Sequence, residues 1–204
     1  MTGEVIRASR ATHHRYERAT PGELVHVDVK KLGRIPNGGG RRALEREVGE
    51  TYEKKRRRIG FDYVHSMVDD YLRFAYGEIL ADETGPICAG FTLRAAAVFA
   101  EAGITTIGEV MSDNAMNYRL SADFQRALET LGARHVLIRP HWPWQNGKVE
   151  RLNRPLQIEW AHRRVYTSNA QRTRALASWL RRYNTQRPHA ALRGRPPFSR
   201  LSPT

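Results

Sequence analysis

The stretch Gln145-Asn146-Gly147-Lys148-Val149-Glu150-Arg151 organises the chain, because it follows an aromatic, proline-containing loop and begins a helical pattern. Apolar residues recur at helical spacing from Val149 to Leu156 and predict a core-facing side. Glu150 falls in the first turn, where the helix dipole favours a negative charge, and Arg154 follows four residues later. Taken alone, this pattern is typical of an ordinary helix-start glutamate. The alternative, that Glu150 is a metal ligand, depends on the rest of the chain.

Charge is distributed unevenly along the 204 residues, which carry a formal net charge of +13. Residues 1–60 sum to +7, residues 61–140 to −5 and residues 141–204 to +11. This distribution suits a polyanion that lies across basic outer segments above a carboxylate-rich centre. The sequence has no long basic amphipathic helix with an aromatic face, and no apolar run approaches the ~20 residues needed to span a bilayer. We therefore expect a nucleic-acid partner, no membrane and a soluble, cytoplasmic protein.

Short β-branched and aromatic runs alternate with helical patterns through the middle of the chain. Strands are predicted at Leu24–Val29, Phe61–Val68, Phe74–Leu80, Ile104–Met111 and Arg134–Ile138, and helices at Pro86–Ala102, after Ser121, around Glu150 and after Ser168. A polar turn at Asp69-Asp70 joins the second and third strands as a hairpin. The order predicts an α/β fold with a mixed five-stranded sheet, in which three antiparallel strands precede alternating strands and helices, flanked by helices.

Finer features follow from the same patterns. The core face of the first helix is predicted to consist of Ile87, Phe91, Ala95, Val98 and Ala102. Cys88 is the only cysteine, and we expect it to be buried as a small side chain. Pro155 is expected to kink the helix that carries Glu150.

Four segments describe the predicted organisation. Residues 1–20 form a basic N-terminal tail or linker, and residues 21–165 form the core. A basic, Gly-rich insertion at residues 33–60 interrupts the core between two strands. Residues 166–204 provide a C-terminal helix and a basic, Pro-rich tail.

Three carboxylates are candidates for one site. Asp28 lies within the first strand, Asp113 at the end of the fourth, and Glu150 on the helix after the fifth. Taken singly, Asp28 could belong to a frayed strand end and Asp113 to an Asx turn. Together they form a set of hard oxygen ligands without His or Cys, which suits Mg²⁺ or Mn²⁺. A pair of such ions would support in-line phosphoryl transfer on a polyanionic substrate.

The chain resembles the catalytic core of the retroviral-type integrase and insertion-sequence transposase superfamily, which has a ribonuclease H-like fold. The resemblance rests on five stretches: His26-Val27-Asp28, Val68-Asp69-Asp70-Tyr71, Ser112-Asp113-Asn114, Asn146-Gly147-Lys148-Val149-Glu150-Arg151 and Arg187-Pro188-His189-Ala190-Ala191-Leu192. It implies that Asp28 bridges two Mg²⁺ or Mn²⁺ ions while Asp113 and Glu150 hold one each. It also implies hydrolysis at transposon ends followed by attack of the 3′-hydroxyl on target DNA, by a homo-oligomer associated with the nucleoid.

Expected DNA contacts are basic or amide side chains beside these acids and in the insertion: Lys30, Lys31, Arg41, Arg42, Asn146, Lys148, Arg151 and Arg154. Two other functions stay open. Full-length relatives carry an N-terminal helix-turn-helix region for which these residues leave no room. The chain could therefore be a DNA-binding remnant without catalytic activity that interferes with full-length transposase. A ribonuclease H-like nuclease acting on RNA–DNA hybrids is the weaker alternative.

Overall fold

The computed structural model describes residues 17–39, 59–140 and 142–201. Most of the predicted tail and insertion, including Arg41 and Arg42, therefore lies outside the described residues. The strands are β1 (Leu24–Gly33), β2 (Phe61–Asp69), β3 (Ala75–Leu80), β4 (Glu109–Ser112) and β5 (Arg134–Leu137). The helices are α1 (Gly85–Glu101), α2 (Met116–Arg119), α3 (Ala122–Leu131), α4 (Gly147–Pro155), a π-helical segment (Leu156–Ala161) and α5 (Asn169–Thr185), with short 3₁₀ turns at Pro143–Asn146, Ala190–Leu192 and Pro197–Arg200.

The five strands form one mixed sheet, as predicted, and their order in the sheet is β3-β2-β1-β4-β5. β1, β2 and β3 are antiparallel neighbours, whereas β4 runs parallel to both β1 and β5. β1 is longer than predicted, because it stays paired with β2 as far as Gly33 opposite Phe61. β4 is shorter, because its pairing with β1 begins only where Leu24 meets Glu109.

Two apolar layers cover the two faces of the sheet. Alternate residues of a strand point to opposite faces. Val25 and Val27 accordingly pack in the layer that contains α1 and α3, whereas Leu32 packs in the layer that contains α4 and α5. The second layer also includes Leu176, Trp179, Leu180 and Tyr183, the four residues predicted for the last helix.

The predicted core face of α1 was partly wrong. Phe91 and Ala95 are buried, and so is Cys88 as expected. Ile87 and Val98 are not among the buried residues, which instead include Ala96 and Phe99 among others. α1 is apolar on most sides, so its periodicity could not identify the side that meets the sheet. No helix within the described residues has the length and apolar character needed to cross a bilayer.

Local sequence explains the helix ends. The side chains of Ser121 and Ser168 accept backbone N–H groups three residues ahead and begin α3 and α5. Gly132 ends α3 in the left-handed region at φ 65°. Proline removes one backbone donor from a helix. The helix that carries Glu150 accordingly changes at Pro155 from α to π hydrogen bonding and continues to Ala161. The short helix α2 was not predicted.

Candidate active site

The two strand carboxylates, Asp28 and Asp113, come from neighbouring strands. The last parallel pair between β1 and β4 joins His26 to Met111, and Asp28 and Asp113 each follow that pair by two residues. The two carboxylates are close enough for the charge of Asp113 to act on Asp28. Burial raises the pKa of Asp28 to about 6; the hydrogen bond from Asn153 opposes this rise and the charge of Asp113 adds to it. Two carboxylates thus share a partly buried position.

Asp113 also closes a turn. Its Oδ1 accepts the backbone N–H of Ala115 at 3.1 Å, which is the Asx-turn geometry weighed for this residue from sequence. Asn114, the next residue, donates its side-chain amide to the Ile138 carbonyl at 3.0 Å. The turn at the end of β4 therefore supports the position of the Asp113 carboxylate.

The helix α4 reaches Asp28 through Asn153. Asn153 Nδ2 donates to Asp28 Oδ2 at 2.6 Å, and its side chain is buried. Glu150 lies three residues earlier, and side chains at that spacing are neighbours on one helix surface. Glu150 is exposed and makes no hydrogen bond or ion pair with any residue of the described ranges, Arg154 included. Its carboxylate is therefore available for another partner.

A buried network connects β1 to the beginning of α4. His26 lies on the same face of β1 as Asp28 and is 0% exposed. Its Nδ1 lies 2.9 Å from Asn146 Oδ1, and its Nε2 lies 2.8 Å from Asp70 Oδ1. Asn146 also donates from Nδ2 to the Val27 carbonyl at 3.3 Å. These contacts join β1, the β2–β3 turn and the residue that precedes α4.

The carboxylate of Asp70 is buried inside this network. Burial by itself would raise the pKa of Asp70, but hydrogen bonds from His26, Lys148 and the Arg18 N–H together hold it below its usual range. Lys148 Nζ lies 2.6 Å from Asp70 Oδ1, and the Arg18 N–H donates to Oδ2 at 2.7 Å. Burial lowers the pKa of Lys148, and the bond to Asp70 opposes that change. Asp69 has the predicted turn-forming role, since it accepts the N–H groups of the turn.

The candidate DNA contacts separate into two groups. Lys30, Arg151 and Arg154 remain at least partly exposed, and so does Lys31, which pairs with Glu83 at 2.5 Å. Asn146 and Lys148 differ from the expectation, because their polar atoms are bonded inside the network described above. Both residues therefore support the position of α4.

The sequence did not identify Asn153 and His26 as residues of the site, and it assigned Asp70, a competing candidate for a carboxylate site, to the β2–β3 turn. Asn153 could have been found as a polar residue one turn after Glu150 on the helix predicted around Glu150. His26 is two residues before Asp28 and must share its face of the strand. Local sequence could not predict the contacts of Asp70, because they come from segments far apart in sequence.

The donor chemistry of this site fits a divalent metal ion. Asp28 and Asp113 offer carboxylate oxygens, which Mg²⁺ and Mn²⁺ prefer. Burial and the charge of Asp113 disfavour the ionised form of Asp28. A cation beside the two carboxylates would stabilise that form and lower the pKa of Asp28. Among residues 17–39, 59–140 and 142–201, no three His, Cys, Asp or Glu side chains lie close enough to hold one ion together. Glu150 would have to move towards the pair to act as the third ligand.

The mixed sheet and its paired acids define the class: a ribonuclease H-like α/β protein of the integrase and transposase type. Residues 18–143 match a family model described as integrase core domain, and residues 131–197 match a second model with the same description. The chain belongs to the integrase core domain family.

Two relatives illustrate the similarity. The chain is 38% identical over 66 residues to the insertion element IS476 uncharacterized 39.2 kDa protein of Xanthomonas euvesicatoria, a match covering 32% of this chain and 19% of the relative. It is also similar to a chain in the cryo-EM structure of the simian T-cell lymphotropic virus intasome in complex with PP2A regulatory subunit B56 gamma. That match has a TM-score of 0.63 at 18% identity and covers 93% of this chain and 59% of the other, so it shows a shared fold. The chain spans less than two thirds of either relative.

Proposed function

We propose that this chain is the catalytic core of a transposase that hydrolyses DNA at transposon ends and joins the freed 3′-hydroxyl to target DNA. The observation that carries the proposal is the position of Asp28 beside Asp113, with Asn153 bonding the Glu150 helix to the same carboxylate. Membership of the integrase core domain family supports the reaction class. A homo-oligomer on paired DNA ends is part of the proposal.

Each residue of the site has a proposed role. Asp28, Asp113 and Glu150 would hold Mg²⁺ or Mn²⁺, with two ions expected. The metal would supply activation of the attacking oxygen and stabilisation of the leaving oxygen. Asn153 orients the Asp28 carboxylate by donating to Oδ2. Basic side chains on β1 and α4 that are at least partly exposed, namely Lys30, Lys31, Arg151 and Arg154, would contact the DNA backbone.

Nicking of supercoiled plasmid in Mn²⁺ tests the proposal. The unaltered chain should nick DNA, whereas Asp28→Asn, Asp113→Asn and Glu150→Gln should reduce nicking to the level of the metal-free reaction. Glu129→Gln is the matched control, because it removes an exposed helical carboxylate outside the site. Full activity in the Asp28→Asn and Glu150→Gln variants would refute the assignment of the site.

A DNA-binding chain without catalytic activity is the second candidate function. The observation that favours it is the exposed Glu150 side chain, which makes no contact with Asp28 or Asp113 in this structure. It predicts salt-sensitive DNA binding without nicking, even when end-binding domains are supplied in trans. Comparing cleavage of an RNA–DNA hybrid with cleavage of duplex DNA separates both candidates from a ribonuclease H-like nuclease.

A further inference from the structure

A groove outside the carboxylate site runs between the π-helical segment, the loop that follows it and α5. It encloses about 690 Å³ and adjoins a second hollow of about 470 Å³, and Arg164 and Ala175 line both. Trp160 and Trp179 contribute to the lining of the larger hollow and are only 1% and 6% exposed. The two hollows together form a continuous surface, which we call the arginine groove.

Arginine side chains dominate the rim of the arginine groove. Five of them are exposed there: Arg163, Arg164, Arg174, Arg181 and Arg182. None of the five forms an ion pair with another residue of the described ranges. Glu159 is the one acidic residue in the lining, and Arg187 already pairs with its carboxylate at 2.8 Å. The rim therefore carries five arginine side chains outside any ion pair of the described ranges, of which Arg182 also interacts electrostatically with Glu159.

The chemistry of this rim fits phosphodiester groups. Guanidinium groups form charge-assisted, often bidentate hydrogen bonds with phosphate oxygens. The buried tryptophans leave little aromatic face for stacking on bases, so a nucleic acid would be held by its backbone. Arg174 and Arg181 are seven residues apart on α5, or about 10 Å along the helix axis. Duplex DNA presents one phosphate charge per about 1.7 Å of its axis, so several phosphates would face the groove at once.

The arginine groove lies within reach of DNA held at the candidate active site. The helix that carries Glu150 continues through the π-helical segment to Ala161, eleven residues later or about 16 Å at 1.5 Å per residue, and Arg163 lies in the turn that follows. One turn of duplex DNA measures about 34 Å. A duplex with a phosphate at the carboxylates could therefore contact the groove about half a turn away.

We infer that the arginine groove is a second DNA-binding site, which holds the phosphate backbone of duplex DNA without reading its sequence. The inference rests on the proposed function only in taking DNA as the partner. It adds a contact surface formed by the end of the Glu150 helix and α5. Bound there, the duplex would be fixed at two points, at the carboxylates and at the groove.

A salt series of DNA binding tests this inference. The full chain with Arg181→Gln/Arg182→Gln is compared with the full chain carrying Arg119→Gln/Arg126→Gln, which removes two exposed arginines from α2 and α3. Fluorescence anisotropy follows binding of a random-sequence 30-base-pair duplex in EDTA. The groove variant should bind at least tenfold more weakly, and the slope of log K against log salt should fall by about 2, at roughly 0.9 per lost phosphate contact. Equal losses in both variants would overturn the inference.

Chemical protection provides a second measurement on the unaltered chain. Bound duplex should protect Arg163, Arg164, Arg181 and Arg182 from p-hydroxyphenylglyoxal, read by mass spectrometry, while Arg119 stays reactive. Unchanged modification of the groove arginines at saturating DNA would contradict the inference, and so would equal protection by polyglutamate, which would indicate an acidic protein partner. Both measurements of DNA binding at the arginine groove are made without metal. A failure to nick DNA would therefore refute the proposed catalysis without changing the outcome of the binding tests.

Discussion

Lys148 and Asp70 form an ion pair beneath the candidate active site, with Lys148 Nζ 2.6 Å from Asp70 Oδ1. The Asp70 side chain is 0% exposed and that of Lys148 is 12% exposed, so water screens the pair little. Lys148 precedes Glu150 by two residues on α4, and His26, which bonds the same Asp70 oxygen, precedes Asp28 by two residues on β1. The buried carboxylate of Asp70 thus holds α4 close to β1, the two elements that carry Glu150 and Asp28.

Replacing Lys148 with alanine should destabilise the fold. The change leaves Asp70 buried with one fewer cation, and we expect the free energy of unfolding to fall by about 2 to 4 kcal/mol. Urea denaturation at pH 7.5 measures the loss. Lys31→Ala is the matched control, since it breaks an exposed pair with Glu83 and should leave the free energy of unfolding nearly unchanged. Similar losses in the two variants would show that the buried Lys148–Asp70 pair contributes no more to the free energy of unfolding than the exposed Lys31–Glu83 pair.

Asp28→Asn should stabilise the metal-free protein. Burial raises the pKa of Asp28 to about 6, so the ionised form that dominates at pH 8 opposes folding. Asparagine removes that charge and should increase the free energy of unfolding by about 1 to 2 kcal/mol in EDTA. Thermal unfolding in EDTA measures the stability of the metal-free protein, and thermal unfolding in Mn²⁺ measures the stabilisation by the metal. Mn²⁺ should raise the Tm of the unaltered chain and leave that of the variant unchanged; equal metal-dependent shifts would argue against Asp28 as a ligand.

His189 should make stability depend on pH. Burial, together with the charge of Arg187, lowers the pKa of His189 to about 4, below the usual value near 6.5 for an unfolded chain. The unfolded state therefore binds the proton more readily between these values. The contribution of His189 is fully present above pH 6.5 and is lost as pH falls towards 4, by about 2 kcal/mol at pH 5.

The variant His189→Phe isolates the contribution of the His189 titration. The ring centroids of His189 and Tyr183 lie 4.6 Å apart, and phenylalanine keeps an aromatic ring there but does not titrate. Denaturant unfolding of both proteins at pH 7 and pH 5 gives the comparison. The unaltered chain should lose more stability over this interval than the variant. Parallel pH profiles would exclude His189 as the titrating group.

Gly22→Ala should disrupt the turn that precedes β1. Gly22 has φ +75°, and an added Cβ would lie 2.0 Å from the backbone oxygen of Thr106, so the backbone would have to move. The Gly22 N–H also donates to Asp69 Oδ2 at 2.7 Å. We expect a loss of more than about 2 kcal/mol, measured by thermal unfolding.

Gly132→Ala is the control for this prediction, because its φ of +65° is also left-handed but nothing lies within 4 Å of an added Cβ. Gly132→Ala should lower the free energy of unfolding by about 1 kcal/mol, from backbone strain alone. If the two variants unfold at the same temperature, the close approach to Thr106 is not limiting.

The sequence by itself determined the order of the elements and the type of sheet. Runs such as Leu24–Val29 alternate with helical patterns, and Ser121, Gly132 and Ser168 mark helix ends by local hydrogen bonding and φ preference. Such features depend on neighbours within a few residues, which is why they could be predicted. The family resemblance likewise rested on short motifs, and the family models confirm it.

Only the tertiary structure determined the features that depend on contacts between segments far apart in the chain. Lys148 and Asn146 are bonded inside the protein, because Asp70 and His26 approach them from distant segments. Asn153 became a partner of Asp28 only when α4 crossed β1. The arginine groove likewise exists only because the π-helical segment and α5 lie side by side. Each of these depends on residues far apart in the chain that come within hydrogen-bonding or packing distance, and no local pattern records such distances.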